Sequence, residues 1–293
     1  MAVIAAPRVT IRSLGAFLAL VKPVAVLPHF ITAAAAMFLA AGGAPPPYLL
    51  LGTLLGGGCV AAAANTINSY LDRDIDALMA RTRRRPLPTG RVSPEASLLL
   101  AAALGLAGLF ILGGLVNRVA VALALAALAY YILPYTLWLK RRTWWSAVIG
   151  SGAGAMPPLI GWAAVTGRIE PIPFLLAAVV VLWTLPHFWT LAVARRDDYQ
   201  RAGLNVLPQK GVAATIAVCS VLLVAVSLAL VWAAGLGLFY LGSAAALGAV
   251  FLYLAFRMSF GATSRTAGRF FAYSVFYIAA LFAAMIVDLA VFG

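Results

Sequence analysis

Acidic side chains are nearly missing from this sequence. Eight Asp and Glu stand among 293 residues, against 21 Lys and Arg, and charged residues make up only 10% of the chain. A soluble domain of this length carries roughly 25%, so a water-solvated globule is excluded. Cysteine is scarcer still. Cys59 and Cys219 lack CxxC spacing and fall inside apolar runs, so both read as small packing residues with neither a disulfide nor a metal role. No Ser–His or Cys–His arrangement of a nucleophilic enzyme is recognisable.

What is abundant is apolar. The chain is 64% hydrophobic with a mean hydropathy of +1.02, which indicates an all-α, polytopic membrane protein. Nine spans are expected, at roughly 15–40, 47–70, 95–116, 118–138, 145–165, 171–193, 212–234, 237–256 and 270–291. The runs are continuous and Ala/Leu-rich rather than alternating, which argues against a β-barrel. The first run is long and holds Lys22 and Pro23 within it, so no cleavable signal is expected.

The net charge of +13 is a topology signal rather than a nucleic-acid footprint. Nineteen of the 21 basic residues fall on one side of the nine spans, in the N-terminal segment and the loops at 72–93, 140–142, 195–210 and 257–269; only Arg118 and Arg168 fall on the other. The positive-inside rule places the N-terminus and the large loops in the cytoplasm and the C-terminus outside.

The few acids are clustered. Five of the eight lie at 72–76 and 197–198, after spans two and six, on the same expected face. In "NTINSYLDRDID" (65–76), Asn68, Asp72 and Asp76 are spaced i, i+4, i+8 and share one helical face. Asp74 points away, toward a pairing with Arg73 or Arg81. Two carboxylates and an amide oxygen form a hard donor set suited to Mg²⁺, which completes its shell with water and phosphate. A solvated helix end also carries acids. The adjoining "RTRRRPLPTGR" (81–91) favours a ligand site, because arginine offers forked donors to a diphosphate. In "PHFWTLAVARRDDYQRAG" (186–203), His187 and Asp198 are about three turns apart and share a face; Asp197 and Asp198 read as a second metal site or the other half of one clamp. His187 alone leaves packing, proton-carrying and haem-ligating readings open. His29, with no polar company in its span, reads as packing. Asp288 reads as an interfacial or capping acid. Pro157 and Pro158 interrupt "GAGAMPPLIGWAAVTG" (152–167), a plausible cavity wall, and Tyr70, Tyr130, Tyr131, Tyr135, Trp138, Trp183, Phe188 and Trp189 are aromatic candidates to line it.

"NSYLDRDIDALMARTRRRPLPTGRVSP" resembles the first Asp-rich motif of the UbiA-type intramembrane prenyltransferases. Its wording is similar to that of the haem-farnesylating branch, the haem O synthases. The resemblance continues through "VKP" (21–23), "LKRRT" (139–143), the 152–167 and 186–203 stretches and "LPQKG" (207–211). It implies one UbiA-type domain over 1–293, with nine helices around a central cavity open to the lipid bilayer. It implies transfer of farnesyl from farnesyl diphosphate to the 2-vinyl group of haem B, with water addition, giving haem O and diphosphate. By motif match, Asn68, Asp72 and Asp76 bind diphosphate through Mg²⁺, with Asp197 and Asp198 as the second acidic site. Arg81, Arg84, Arg85, Lys140 and Arg141 contact diphosphate, and His187 and Trp189 belong to the haem pocket. An inner-membrane location and contact with haem A synthase or oxidase assembly proteins are further expectations; nucleic acid is not a partner. Asn205, in "AGLNVLP", and a following stretch one residue shorter than usual depart from the family's wording, beside the second acidic cluster. Two rivals remain. A UbiA-type enzyme acting on an aromatic quinone precursor shares the diphosphate site. An ion-coupled transporter predicts acids deep inside the spans, whereas these gather at one membrane face.

Overall fold

The computed structural model describes residues 14–208 and 211–292. Arg8, Arg12 and Lys210, and with Lys210 part of the "LPQKG" motif, lie outside them. The described residues are helical, without a strand. The chain order is α1 (Leu14–Val21), α2 (Pro23–Ala41), α3 (Pro47–Leu71), α4 (Arg73–Leu78), α5 (Pro94–Leu115), α6 (Arg118–Tyr130), α7 (Trp145–Gly154), α8 (Met156–Thr166), α9 (Ile172–Ala194), α10 (Arg196–Arg201), α11 (Val212–Ala233), α12 (Leu238–Ser259) and α13 (Ser264–Val287). Among the described residues nine spans are long and apolar enough to cross a membrane: α2, α3, α5, α6 with its extension to Leu139, α7 with α8, α9, α11, α12, and α13 with its extension to Phe292. The expected nine spans are therefore present. Two boundaries differ. The first run divides at Lys22, whose left-handed backbone (φ 52°) ends α1 and lets Pro23 open α2. The ninth span starts at Ser264 because Thr263 caps it by accepting from the Thr266 N–H.

The bundle is drawn tight by small residues, as is usual where lipid gives no hydrophobic drive for helix association. α3 packs on α5, α2 on α8, and α9 on both α11 and α13. A Cβ on Gly108 of α5 would lie 2.6 Å from the Gly56 carbonyl oxygen of α3, and one on Gly161 of α8 would lie 2.2 Å from the Ala33 carbonyl of α2. Only glycine permits either approach. Asp288 acts as a cap: it accepts from the backbone N–H groups of Gly237 (2.6 Å) and Tyr240 (3.0 Å), which opens α12.

Pro134 shapes the wall that matters most for function. It has no N–H to donate, and the helix after α6 widens into π-type turns over Tyr131–Leu139. Lys140 N–H accordingly reaches back five residues, to the Tyr135 carbonyl at 2.9 Å. The extra residue in the turn delivers Thr136 and Lys140 to α3.

Candidate active site

The three residues spaced i, i+4, i+8 come together although the helix breaks among them. α3 ends at Leu71 and Asp72 (φ −92°, ψ 3°) is the hinge to α4. The i to i+4 pattern survives the bend, since Asp72 N–H donates to the Asn68 carbonyl (2.9 Å) and Asp76 N–H to the Asp72 carbonyl (2.8 Å). Asn68, Asp72 and Asp76 are therefore all buried, at 4%, 2% and 4% exposure. Asn68 Nδ2 donates to Asp72 Oδ2 at 2.7 Å. Asp74 points outward, its side chain 61% exposed. Its partner is Arg141, through two contacts of 2.7 Å, not Arg73 or Arg81. Arg73 instead donates to the Tyr70 carbonyl and lies over the Tyr70 ring. The Arg141 guanidinium holds the Asp74 carboxyl down at about 2.

Three basic side chains converge on the buried Asn68, Asp72 and Asp76 from different parts of the chain. Arg85, from the loop after α4, donates to Asp76 Oδ1 and Oδ2 at 3.0 and 2.7 Å. Lys140 pairs with Asp72 Oδ2. Lys22, at the junction of α1 and α2, donates to Asn68 Oδ1 at 3.1 Å. Burial, and then the neighbouring charges of Arg85 and Lys140, pushes the Lys22 ammonium down to about 7. Burial alone would lower Lys140 too, but Tyr135 and Asp72 outweigh it and hold its ammonium above the ordinary lysine value. Three basic groups against two carboxylates leave this polar cluster ready for a further anion.

Next to it lies a largely apolar cavity of about 320 Å³, partly open, between α2, α3, α6, α7, α8 and α9. Asn65, Tyr131 and Tyr135 line its end nearest the cluster. Asn65 is three residues before Asn68, and Lys140 Nζ stands over the Tyr135 ring at 5.9 Å. Pro157 and Phe188 also line it. Of the other aromatic candidates, Tyr130 abuts Gly152 and donates to the Ile149 carbonyl, Trp138 is exposed, and Trp183 is packed in the main core.

The second acidic cluster is arranged differently from expectation. Arg195 (φ −124°, ψ 31°) breaks the helix between α9 and α10, so His187 and Asp198 lie on different helices. Adjacent residues of a helix point about 100° apart. Asp198 accordingly turns inward at 5% exposure while Asp197 faces outward. Both oxygens of Asp198 accept loop amides, from Ala80 N–H at 3.0 Å and Arg81 N–H at 3.2 Å. Arg201 lies 3.7 Å away. Arg81, Arg195, Arg196, Arg201 and the two acids border a separate polar cavity of about 340 Å³.

Of the expected diphosphate contacts, Arg85 and Lys140 join the buried carboxylates. Arg141 is turned to Asp74 and the Leu71 carbonyl, Arg84 is exposed, and Arg81 lies beside Asp198. Neither expected haem-pocket residue lines the main cavity. His187 is stacked between Trp183 and Phe271, with ring centroids at 4.5 and 4.6 Å, and its Nδ1 meets Ser274 Oγ at 2.8 Å. Trp189 is 1% exposed and packs near Trp144 in the core.

The model of the UbiA prenyltransferase family matches residues 29–286. The chain belongs to that family. Among UbiA relatives, the protoheme IX farnesyltransferase of Roseiflexus sp. (strain RS-1) is 44% identical over 234 residues, covering 78% of this chain and 44% of that protein. The chain thus matches less than half the length of the Roseiflexus relative. The protoheme IX farnesyltransferase of Gloeobacter violaceus is 43% identical over 231 residues, 77% of this chain and 76% of that protein. The UbiA fold is shared with a solved digeranylgeranylglyceryl phosphate synthase (TM-score 0.75, 18% identity, 94% of this chain and 98% of that one). It is also shared with a UbiA homologue from Archaeoglobus fulgidus bound to GPP and Mg²⁺ (TM-score 0.63, 20% identity, 92% and 99%).

The donor set of this UbiA site fits a divalent metal in one specific respect. Asp72 Oδ1 is buried and has no hydrogen-bond partner, and an orphaned buried acceptor costs about 1–3 kcal/mol unless something occupies it. Among the described residues no group of three or more His, Cys, Asp or Glu side chains is gathered as a metal site. A metal here would hold one or two carboxylates and take its other ligands from water and phosphate, as Mg²⁺ usually does. Sequence reasoning passed over Lys22, which a lone "VKP" does not mark, and His29, which it assigned to packing although His29 lines the cavity.

Proposed function

We propose that this chain, taken as one UbiA-type domain, transfers the farnesyl group of farnesyl diphosphate to the 2-vinyl group of haem B, giving haem O and diphosphate. The observation that carries the reading is the juxtaposition of the buried Asn68–Asp72–Asp76 face, flanked by Lys22, Arg85 and Lys140, with an apolar cavity. The polar cluster holds the diphosphate and the cavity holds the prenyl chain. The similarity to protoheme IX farnesyltransferases supports haem B as acceptor, and the Archaeoglobus homologue bound to GPP and Mg²⁺ supports a divalent ion at Asp72 and Asp76. That ion, when bound, supplies neutralisation of charge on the diphosphate.

Lys22, Arg85 and Lys140 stabilise the negative charge that grows on the departing diphosphate as the C1–O bond breaks. The vinyl π electrons form the new C–C bond to C1, leaving a cation on the former vinyl carbon next to the porphyrin. Water adds there and loses a proton, which leaves the hydroxyethylfarnesyl arm. The apolar wall keeps water from the allylic carbon before the C–C bond forms. The same reading places the basic loops and the N-terminus in the cytoplasm, the C-terminus outside and the chain in the inner membrane. A haem A synthase or an oxidase assembly protein would then receive the product. The test is incubation of purified protein with Mg²⁺, farnesyl diphosphate and haem B. Mass analysis should show haem O; turnover retained by Asp72→Ala would overturn the site assignment.

A further inference from the structure

The walls of the apolar cavity define its depth. Asn65, at the polar end, and Thr53 both line it from α3. They are twelve residues apart, about 18 Å along the helix axis. Thr53, Ala124 and Ile160 are the lining residues farthest from the acidic cluster along α3, α6 and α8. All three are buried, at 2%, 1% and 8% exposure, and Ala124 and Ile160 belong to one packed cluster with Leu112 and Ala120. That end is closed. Two thirds of the way down, eight residues from Asn65 and so about 12 Å along α3, stands Gly57. A Cβ on Gly57 would meet nothing within 4 Å, although the residue lines the cavity. Its neighbours on α3 are glycine for contact: a Cβ on Gly56 would lie 2.8 Å from Leu112 of α5, and one on Gly58 2.7 Å from the Phe30 ring. Glycine weakens a helix interior, and at Gly57 no neighbouring atom requires it. What the missing side chain leaves is room in the cavity.

We infer that Gly57 sets the length of the prenyl donor at three isoprene units. The inference rests on the proposed reading, in which this cavity holds the prenyl chain, and names the residue that selects among donors. An extended chain advances about 3.5 Å for every three bonds. With C1 at the level of Asn65, the main chain of geranyl ends about 8 Å down, that of farnesyl about 13 Å and that of geranylgeranyl about 18 Å. The third isoprene unit therefore lies across Gly57, in the space that a side chain there would fill. A fourth unit would run into Thr53, Ala124 and Ile160 before its terminal methyl groups are accommodated.

The test is competition among geranyl, farnesyl and geranylgeranyl diphosphates in one incubation with purified protein, Mg²⁺ and haem B, read as product masses. Wild-type protein should favour farnesyl. Gly57→Ala should lower the farnesyl-to-geranyl product ratio about 10-fold, and Gly57→Leu about 10²–10³-fold, since a hydrophobic pocket discriminates about 10-fold or more per methylene group. Ile160→Ala, which deepens the closed end, should raise the share of geranylgeranyl product. A folding defect scales all products together, so the ratio isolates the pocket, and Gly57→Ala carries the test if Gly57→Leu gives no product. An unchanged ratio in either variant that turns over would overturn the inference. Wild-type protein that takes geranylgeranyl diphosphate as readily as farnesyl diphosphate would overturn it as well. Haem B left unmodified by all three donors sinks the reading beneath it instead; the same ratios, read on a hydroxybenzoate acceptor, then test Gly57 independently of haem.

Discussion

Asp72→Asn separates the structural duty of that carboxylate from its chemical one. The substitution keeps the shape and removes the charge that faces Lys140. The Asp72 side chain is 3% exposed and that of Lys140 20%, so the change strands a largely buried ammonium. Breaking a fully buried pair on one side costs 3–5 kcal/mol, and the partial exposure of Lys140 brings the expected loss of stability to about 2–4 kcal/mol. Turnover should fall by about 10²–10³, the usual cost of removing one preorganised group from charge stabilisation. The double variant Asp72→Asn/Lys140→Met removes the stranded charge, and its thermal unfolding in detergent should recover to within about 1 kcal/mol of wild type. Its turnover should stay low, because neither the carboxylate nor the ammonium has been restored. The assay is haem O formation beside the unfolding transition of the same preparations. Recovery of activity in the double variant would refute the reasoning, since Asp72 would then matter only as a counter-ion.

Other predictions concern the supports of the site. Asp198→Asn can accept with one oxygen only, so the loop carrying Arg81 and Arg85 should loosen by about 1–3 kcal/mol; hydrogen exchange at 79–85 should rise, while Asp197→Asn leaves it unchanged. Gly108→Ala should destabilise by about 1–3 kcal/mol by forcing α3 from α5. Gly114→Ala, on the same helix with nothing within 4 Å of the new methyl group, should be neutral or stabilising in the same melting assay. Asp288→Ala should cost about 1–2 kcal/mol by uncapping α12.

Much of the fold was legible because a bilayer imposes one dominant rule: a long apolar run becomes a helix. The nine spans follow from that rule, apart from the starts of the first and the ninth. The shared face of Asn68, Asp72 and Asp76 was legible for a related reason, since i, i+4 spacing survives a modest bend. What could not be read depends on contacts between distant segments. Nothing local states that Lys22, 46 residues before Asn68, turns through a left-handed residue to meet it. Pro134 was visible, but its effect, a widened turn that swings Lys140 onto Asp72, needs the packing of α3 beside it. The sequence does not mark what Asp198 accepts from, because its amide partners, Ala80 and Arg81, lie more than a hundred residues earlier. The two histidines show the same limit, because local sequence favoured His187, and only the assembled bundle puts His29 in the cavity wall.

The account stands most directly on the mass of the porphyrin recovered after purified wild-type protein is incubated with haem B, farnesyl diphosphate and Mg²⁺. The predicted result is haem B increased by one farnesyl group and one hydroxyl group, with release of diphosphate. Unmodified haem B, together with a prenylated hydroxybenzoate in the parallel incubation, would contradict it.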